Sequence, residues 1–518
     1  MRNLLNRLLL FPFLLGLYFP LSIISQNLRE IDLRTIPRSL LAVTMVVLVL
    51  LLLLCLVLKS WHKSALLTTL LVFGFFLYGL AYSLFKQPTV LGGLLGRHRV
   101  LLPLFLLLMA FFTWQVIRSK STFANSFALL NLLGIFLCLM TLTSFASFWS
   151  RQKPLVVASP PTNQPNPASS SANQLLPDVY FIVLDAYDRQ DYLVKNFSFD
   201  NSVFIGELRR MGFFVADCSR PNYAHTILSL SSTLNMEYVQ DFDPAMLNDY
   251  GLTDKLVHSR VRELLEARGY RTVTFANVHW DFSDADVFFN FPNPFFSPFL
   301  QPIEGMLLEQ SMLRALTDLS PTLHNLLADF LNSPVRNHYQ QQLSIINRLP
   351  EAQKVQSPKF VFVHIEKPHG PFVFDPDGNL LQEDAYYRDA FYSAVSREYF
   401  ESGYTEQIEF LNTRMLLFLA DLLKNSKTPP IILLEGDHGL GEEKDLGSRL
   451  NNLLAVYFPD QEYSQLNQYI TPVNIFRAAF NQYLAEPLPL LPDRTYYSAK
   501  EFRMDFTEYS EEMPACQR

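Results

Sequence analysis

Charge is scarce in this sequence. Only 18% of its 518 residues are Asp, Glu, Lys or Arg, while 49% are hydrophobic. That balance is shifted away from an ordinary soluble domain and toward a protein with membrane-embedded parts. The charges sum to −7, which gives no reason to expect nucleic acid as a partner. Cysteine is scarcer still. Of the four, Cys55 and Cys138 lie in long apolar runs, leaving Cys218 and Cys516 in the polar part. They lack metal-ligand spacing, so a cysteine-built zinc site is excluded. Cys218 and Cys516 keep two states open, one disulfide in an oxidising compartment or two free thiols.

What is abundant is apolar sequence in long runs. Leu8 to Ile24, Leu40 to Leu58, Ala65 to Phe85, Val100 to Ile117 and Phe127 to Phe148 are almost free of charge. Each is near the ~20 residues that cross a bilayer as a helix. The first run could instead be a signal peptide, since Arg2 and Arg7 precede it, but it lacks a small-x-small cleavage site and further spans follow. We therefore expect an all-α transmembrane domain of five helices over residues 1–150. Lys and Arg are as frequent in the loops of one side as of the other, so charge alone does not orient it. No ionisable residue stands in mid-span, which disfavours a transporter or channel.

Residues 151–177 are rich in Pro, Ser, Asn and Gln and cannot build a core, which predicts a flexible tether. From 178 to 518 the pattern alternates. Strand-like runs are Val179 to Leu184, Phe213 to Ala216, Arg271 to Phe275, Phe360 to Ile365, Ile431 to Leu434 and Leu453 to Phe458. Helical stretches fall between them, including Asp200 to Met211, Ile227 to Asn235, Thr253 to Arg268 and Glu398 to Lys424. Such alternation predicts an α/β domain, a mostly parallel sheet with helices on both faces.

Chemistry gathers where these strands end. The apolar run Ile431 to Leu434 is followed by Glu435-Gly436-Asp437-His438-Gly439. A carboxylate and an imidazole then stand at the carboxyl edge of a sheet, where open α/β folds bind ligands. Val179 to Leu184 ends in Asp185, with Asp188 close behind. Asp in such a place is often only a cap. In Asn222-Tyr223-Ala224-His225-Thr226, Thr226 opens a helix, where the dipole and free N–H groups favour an alkoxide and an anionic ester. From this stretch alone an N-cap is the commoner role for such a threonine. Ser229 is a competing hydroxyl, one turn further on. Phe360 to Ile365 leads into Pro368-His369-Gly370-Pro371-Phe372, where two prolines hold an imidazole able to grip a phosphoryl oxygen or protonate a leaving group. His364, inside that strand, is more readily a core histidine. The Phe- and Pro-rich stretch from His279 to Phe299 reads as a satellite core, or as a surface for lipid or glycan with Trp280 and Asp281 beside the acceptor. Asp185, Asp437, His438 and Thr226 together suit one divalent cation, Mn²⁺ or Zn²⁺.

The order strand-Asp, Asn-Tyr-x-x-Thr-x-x-Ser, Pro-His-x-Pro-Phe, Gly-Asp-His-Gly resembles the alkaline phosphatase/sulfatase superfamily. Within it, the chain resembles the membrane-anchored branch of lipoteichoic acid synthases and phosphoethanolamine or phosphoglycerol transferases. Arg449-Leu450-Asn451-Asn452 and Thr471 to Arg477 fit the same branch. The resemblance implies Thr226 as nucleophile and metal ligand, Asp185, Asp437 and His438 as metal ligands, and His369 and Arg449 as substrate contacts. It implies a phosphotransferase in the cell membrane, with its catalytic domain outside the cytoplasm. The donor would be a phospholipid and the acceptor a glycan, lipid or water. Sulfatases carry Cys-x-Pro-x-Arg, whereas this chain has Cys218-Ser219-Arg220-Pro221-Asn222, so sulfatase activity is not expected. No histidine follows His438, which favours one metal over two. The alternatives are a phosphodiesterase-type hydrolase and a non-catalytic envelope protein that keeps the fold.

Overall fold

The computed structural model describes residues 9–28, 33–85, 97–120, 124–151, 176–291, 300–315, 333–381, 397–441, 446–498 and 504–510, with 295, 297 and 322 besides. Most of the expected tether lies outside the described residues, as does Cys516. The chain divides into two compact units, Met1–Val157 with Pro292–Asn337, and Ala158–Phe291 with His338–Arg518.

The first unit holds five apolar helices, α1 (Phe11–Gln26), α2 (Ile36–Leu58), α3 (Trp61–Phe85), α4 (His98–Arg118) and α5 (Ala124–Arg151). Four of them, α2 to α5, are long and apolar enough to cross a membrane. Helix α1 has 16 residues and an internal Pro20, and falls short of the expected length. At ~1.5 Å per residue it spans about 24 Å, against ~30 Å of hydrocarbon. The outward faces are apolar and exposed, as membrane-spanning helices present to lipid: Leu56 and Val57 are 75% and 77% exposed. The helix Pro302–Glu309, far along the chain, packs here as well. Its Ile303 and Leu307 join Ile23, Ile24, Val47, Val72 and Phe76 in one apolar cluster. Arg38 pairs with Glu304 at 2.9 Å and donates to Ser297 O at 2.6 Å.

The second unit is built on a seven-stranded sheet: β1 (Val179–Leu184), β2 (Phe214–Val215), β3 (Arg271–Phe275), β4 (Val287–Phe289), β5 (Lys359–Ile365), β6 (Ile431–Glu435) and β7 (Leu454–Tyr457). Their order is β2-β7-β6-β1-β5-β3-β4. The pairs β1–β5, β1–β6, β3–β5 and β3–β4 are parallel, and β7 runs antiparallel to both its neighbours. Central strands buried on both faces need continuous apolar side chains, which is what Val-Tyr-Phe-Ile-Val-Leu in β1 and Ile-Ile-Leu-Leu in β6 supply. Strand β4 falls inside the Phe-rich stretch read as a satellite core, where short aromatic runs gave no clear period.

Two helices matter for the site, α6 (Thr226–Asn235) and α7 (Arg397–Asn425). On one face of the sheet, Val179, Phe181 and Val183 pack with Leu230 and Leu234 of α6 and with Phe476. On the other, the Tyr180 ring meets Phe418 of α7 edge-on at 6.4 Å. Helices therefore cover both faces, as the alternating pattern predicts.

Candidate active site

The three adjacent strands β6, β1 and β5 run parallel, so their carboxyl ends open at one edge. In register Val183 lies opposite Glu435 on one side and His364 on the other. Asp437, Asp185 and His369 follow those ends and are thereby brought together. Asp185 is tied to the neighbouring strand at both ends of its peptide, donating its N–H to Ile365 O and accepting from His369 N, each at 3.0 Å. The next residue, Ala186, adopts a left-handed φ of 58°, a conformation that costs about 1–2 kcal/mol without glycine. Its N–H donates to Asp437 Oδ1 at 2.9 Å and its carbonyl accepts from Tyr404 of α7 at 2.7 Å. The turn is held in a strained form by the groups it serves.

Glycines flank Asp437-His438 because the backbone is crowded there. A Cβ on Gly436 would stand 2.4 Å from Tyr187 O, and one on Gly439 would stand 2.2 Å from Ser448 O. His438 donates from Nδ1 to Gly439 O at 2.9 Å. Its Nε2 therefore carries the lone pair. That nitrogen faces Thr226 Oγ1 at 3.1 Å, Asp437 Oδ2 at 3.5 Å and Asp185 Oδ1 at 3.7 Å. Burial, assisted by the Arg449 charge, brings its pKa down to about 3, so the ring is neutral at physiological pH.

Two carboxylates share this small buried space. Burial pushes the Asp437 carboxyl up to about 7, and the neighbouring Asp185 charge adds to the rise. Burial also opposes ionisation of Asp185, but His369, His364 and His438 outweigh it and hold that carboxyl well below the usual range. Asp185 Oδ1, Asp437 Oδ2 and His364 Nε2 are buried without a hydrogen-bond partner. Ligand atoms of Asp185, Asp437 and His364 lie within 4.8 Å of one another. Orphaned carboxylate oxygens converging on one point fit a divalent cation, which would replace the missing partners.

His364 belongs to this cluster and is more than the core histidine that its place in a strand suggested. The Asn277 side-chain oxygen accepts from His279 N at 2.8 Å and Trp280 N at 3.3 Å. The Asn277 amide nitrogen is thus turned to His364 Nδ1, 3.0 Å away. In the neutral ring Nε2 then carries the hydrogen, and it points at Asp185 Oδ2, 3.4 Å away. A histidine next to the last residue of a strand that pairs with the Asp185 strand was the available signal.

Thr226 is the first residue of α6. Its preceding residue, His225, is extended and makes no side-chain cap, so Thr226 is not the cap. The competing hydroxyl of Ser229 is already committed, donating to Asp437 O at 2.8 Å. His369 donates from Nδ1 to Gly370 O at 2.7 Å. Its ring centroid is 6.4 Å from that of His438. Asp188 accepts from Tyr404 and Leu440 N and serves the turn behind the cluster. Burial raises its pKa to about 7. Arg449 grips Ala224 O through Nε and Nη2, at 3.1 and 2.8 Å. Trp280 lies over His364 with centroids 5.5 Å apart. Asp281 is exposed and its carboxylate accepts from Ser283 N at 2.9 Å, closing a turn. Cys218 is disulfide-bonded, which removes the free-thiol alternative for it.

Fold and site together define a membrane-type helical unit joined to an α/β domain, with carboxylates, imidazoles and a hydroxyl focused at one sheet edge. Neither a family model nor a curated protein sequence matches the chain. Solved structures do. The C-terminal periplasmic domain of EcEptC from Escherichia coli is 9% identical, with 65% of this chain and 94% of that one covered, at a TM-score of 0.42. The integral membrane lipooligosaccharide phosphoethanolamine transferase A of Neisseria meningitidis is 12% identical, with 93% and 95% covered, at 0.37. The lipoteichoic acid synthase LtaP of Listeria monocytogenes is 11% identical, with 62% and 77% covered, at 0.37.

Proposed function

We propose that the chain is an enzyme of the membrane-anchored branch of the alkaline phosphatase/sulfatase superfamily. It transfers a phospho-alcohol group from a phospholipid to an envelope acceptor through a phospho-threonine intermediate. The observation that carries this reading is Thr226 Oγ1 standing 3.1 Å from His438 Nε2 at the start of a helix. The residues that carry the sequence resemblance and the residues that converge at the sheet edge are the same ones, which supports it.

Asp185, Asp437 and His438, with Thr226, would hold one divalent cation, Mn²⁺ or Zn²⁺. When bound, such a cation lowers the pKa of a hydroxyl so that it reacts near neutral pH and offsets charge on the transferred group. Thr226 Oγ1 forms the new bond to phosphorus as the bond from phosphorus to the diacylglycerol oxygen breaks. The Thr226 hydroxyl proton leaves to solvent, and His369 in its imidazolium form gives a proton to that departing oxygen. In the second half the now neutral His369 takes the proton of the attacking acceptor hydroxyl, the bond from phosphorus to Oγ1 breaks, and Oγ1 regains a proton from solvent. The dipole and first-turn N–H groups of α6 stabilise negative charge at Thr226 throughout. Trp280 and Asp281 are assigned to the substrate side of the cleft. The catalytic region is the 178–518 part, carried on an inner or plasma membrane by α1 to α5 with the site outside the cytoplasm.

The test is intact and peptide mass spectrometry of the detergent-solubilised full chain after exposure to membrane phospholipids. A phospho-alcohol adduct on Thr226 is expected. Steady turnover of phosphodiester substrates with no adduct on Thr226, and unchanged in Thr226→Ala, would overturn the covalent mechanism. Release of the adduct to water alone would make the enzyme a phosphodiesterase.

A further inference from the structure

We infer that Arg449 is a positioning residue, which sets the nucleophile at its working distance from His438; this rests on Thr226 being that nucleophile. The side chain spends two of its nitrogens, Nε and Nη2, on the one carbonyl of Ala224, at 3.1 and 2.8 Å. Ala224 is buried and precedes Thr226 by two residues. The other end of Arg449 is equally committed, since its backbone carbonyl accepts from Gly439 N at 2.9 Å. Gly439 follows His438 and accepts from its ring at 2.9 Å. Arg449 therefore joins the loop that carries Thr226 to the loop that carries His438, by its side chain on one side and its main chain on the other.

A second strut lies deeper, where Ser229 Oγ donates to Asp437 O at 2.8 Å. The two struts grip the start of α6 on either side of Thr226. Only Arg can make the upper one. Its planar fork presents Nε–H and Nη2–H side by side, while Lys offers a single rotating ammonium on a flexible stem. The Ala224 carbonyl is out of water, so without the fork it must find another donor, and the loop shifts to provide one. A displacement on the order of 1 Å at a nucleophile can cost roughly a hundredfold in rate.

The test separates position from charge. Arg449→Lys keeps the charge and loses the fork. In the full chain, it is expected to slow adduct formation by roughly 10- to 100-fold with KM changed by less than about twofold. A raised KM with kcat unchanged would make Arg449 a charge contact to the substrate phosphate and overturn the inference. A readout independent of phosphoryl transfer comes from Thr226→Cys, alkylated with iodoacetamide and followed by peptide mapping. A thiol at a helix start beside His438 reacts according to its placement. The double variant Thr226→Cys/Arg449→Lys is expected to differ from Thr226→Cys by about fivefold or more. An unchanged alkylation rate would also overturn the inference. Failure of the phosphotransferase reading leaves this second measurement standing. Should Arg449→Lys fail to fold, the double variant Thr226→Cys/Arg449→Ala supplemented with guanidinium ion is expected to recover the alkylation rate of the introduced thiol, and no recovery in a folded protein counts against the inference.

Discussion

Replacing Thr226 by Ala separates chemistry from stability by several orders of magnitude. The threonine hydroxyl makes no capping bond, and its neighbours are His438 Nε2 at 3.1 Å and the Asp437 carboxyl. Losing one net hydrogen bond costs about 0.5–1.5 kcal/mol, which lowers an unfolding temperature by roughly 2–4 °C per kcal/mol in a domain of this size. Alanine is also a better helix former than threonine, which returns a few tenths. The folded protein should therefore survive with an unfolding temperature within about 5 °C of the parent. The chemical loss is of another size, because among the described residues no other hydroxyl takes the place of Thr226 beside His438 once Ser229 is committed to Asp437 O. Removing a covalent nucleophile that acts as a unit with its partners costs on the order of 10³- to 10⁶-fold in kcat. Thr226→Ser restores the oxygen and frees its rotamer, and should keep activity within about tenfold. The assay is release of diacylglycerol from labelled phospholipid by the solubilised full chain, with intrinsic fluorescence melting run in parallel. A Thr226→Ala variant that melts normally and turns over at a tenth of the parent rate or faster would refute the reasoning.

Other outcomes follow from the same geometry. His364→Ala should weaken divalent-cation affinity by about 10- to 100-fold, since a residue that supports a ligand costs that much when lost. Cation titration followed by equilibrium dialysis measures it, and unchanged affinity would reduce His364 to packing. Asp437→Asn should abolish cation binding and activity while sparing the fold, because Asn keeps the bond from Ala186 N at Oδ1. Metal content of the purified variant checks this. Glu435→Gln bears on pH. Glu435 is buried with both oxygens unpartnered, and burial holds its pKa well above the usual carboxyl value of 4.5. The folded state then keeps a proton that the unfolded state loses, so stability falls as pH rises through and above that value, by up to about 1.4 kcal/mol per unit. Gln removes that slope, so its gain in unfolding temperature should grow between about pH 5 and pH 8. A constant difference across that range would show Glu435 to be ionised in the fold. Chelation followed by graded addition of Mn²⁺ or Zn²⁺ should remove and restore activity, and activity that resists chelation would exclude the cation.

The apolar runs and the strand-ending Asp, His and Thr residues were legible because each depends on neighbours close in the chain. Hydrophobic length, period and a turn after a strand are local properties, so residues 40–58 and 431–439 could be read alone. That a parallel sheet collects strand ends at one edge could also be expected from the alternating pattern. Three things were not local. Ile303 and Leu307 pack with the helical unit, though their sequence follows the strands of the other. His364 looks like a buried strand residue until β1 pairs beside it and puts Asp185 Oδ2 at 3.4 Å. The bonds from Arg449 Nε and Nη2 to the Ala224 carbonyl, 225 residues away in sequence, join two stretches that neither reveals alone. The sequence alone determined which chemical groups this protein could bring to a reaction. Tertiary structure decided which of them face one another and which are already spent on holding the others, because hydrogen bonds between distant loops exist only once the sheet has set their distance.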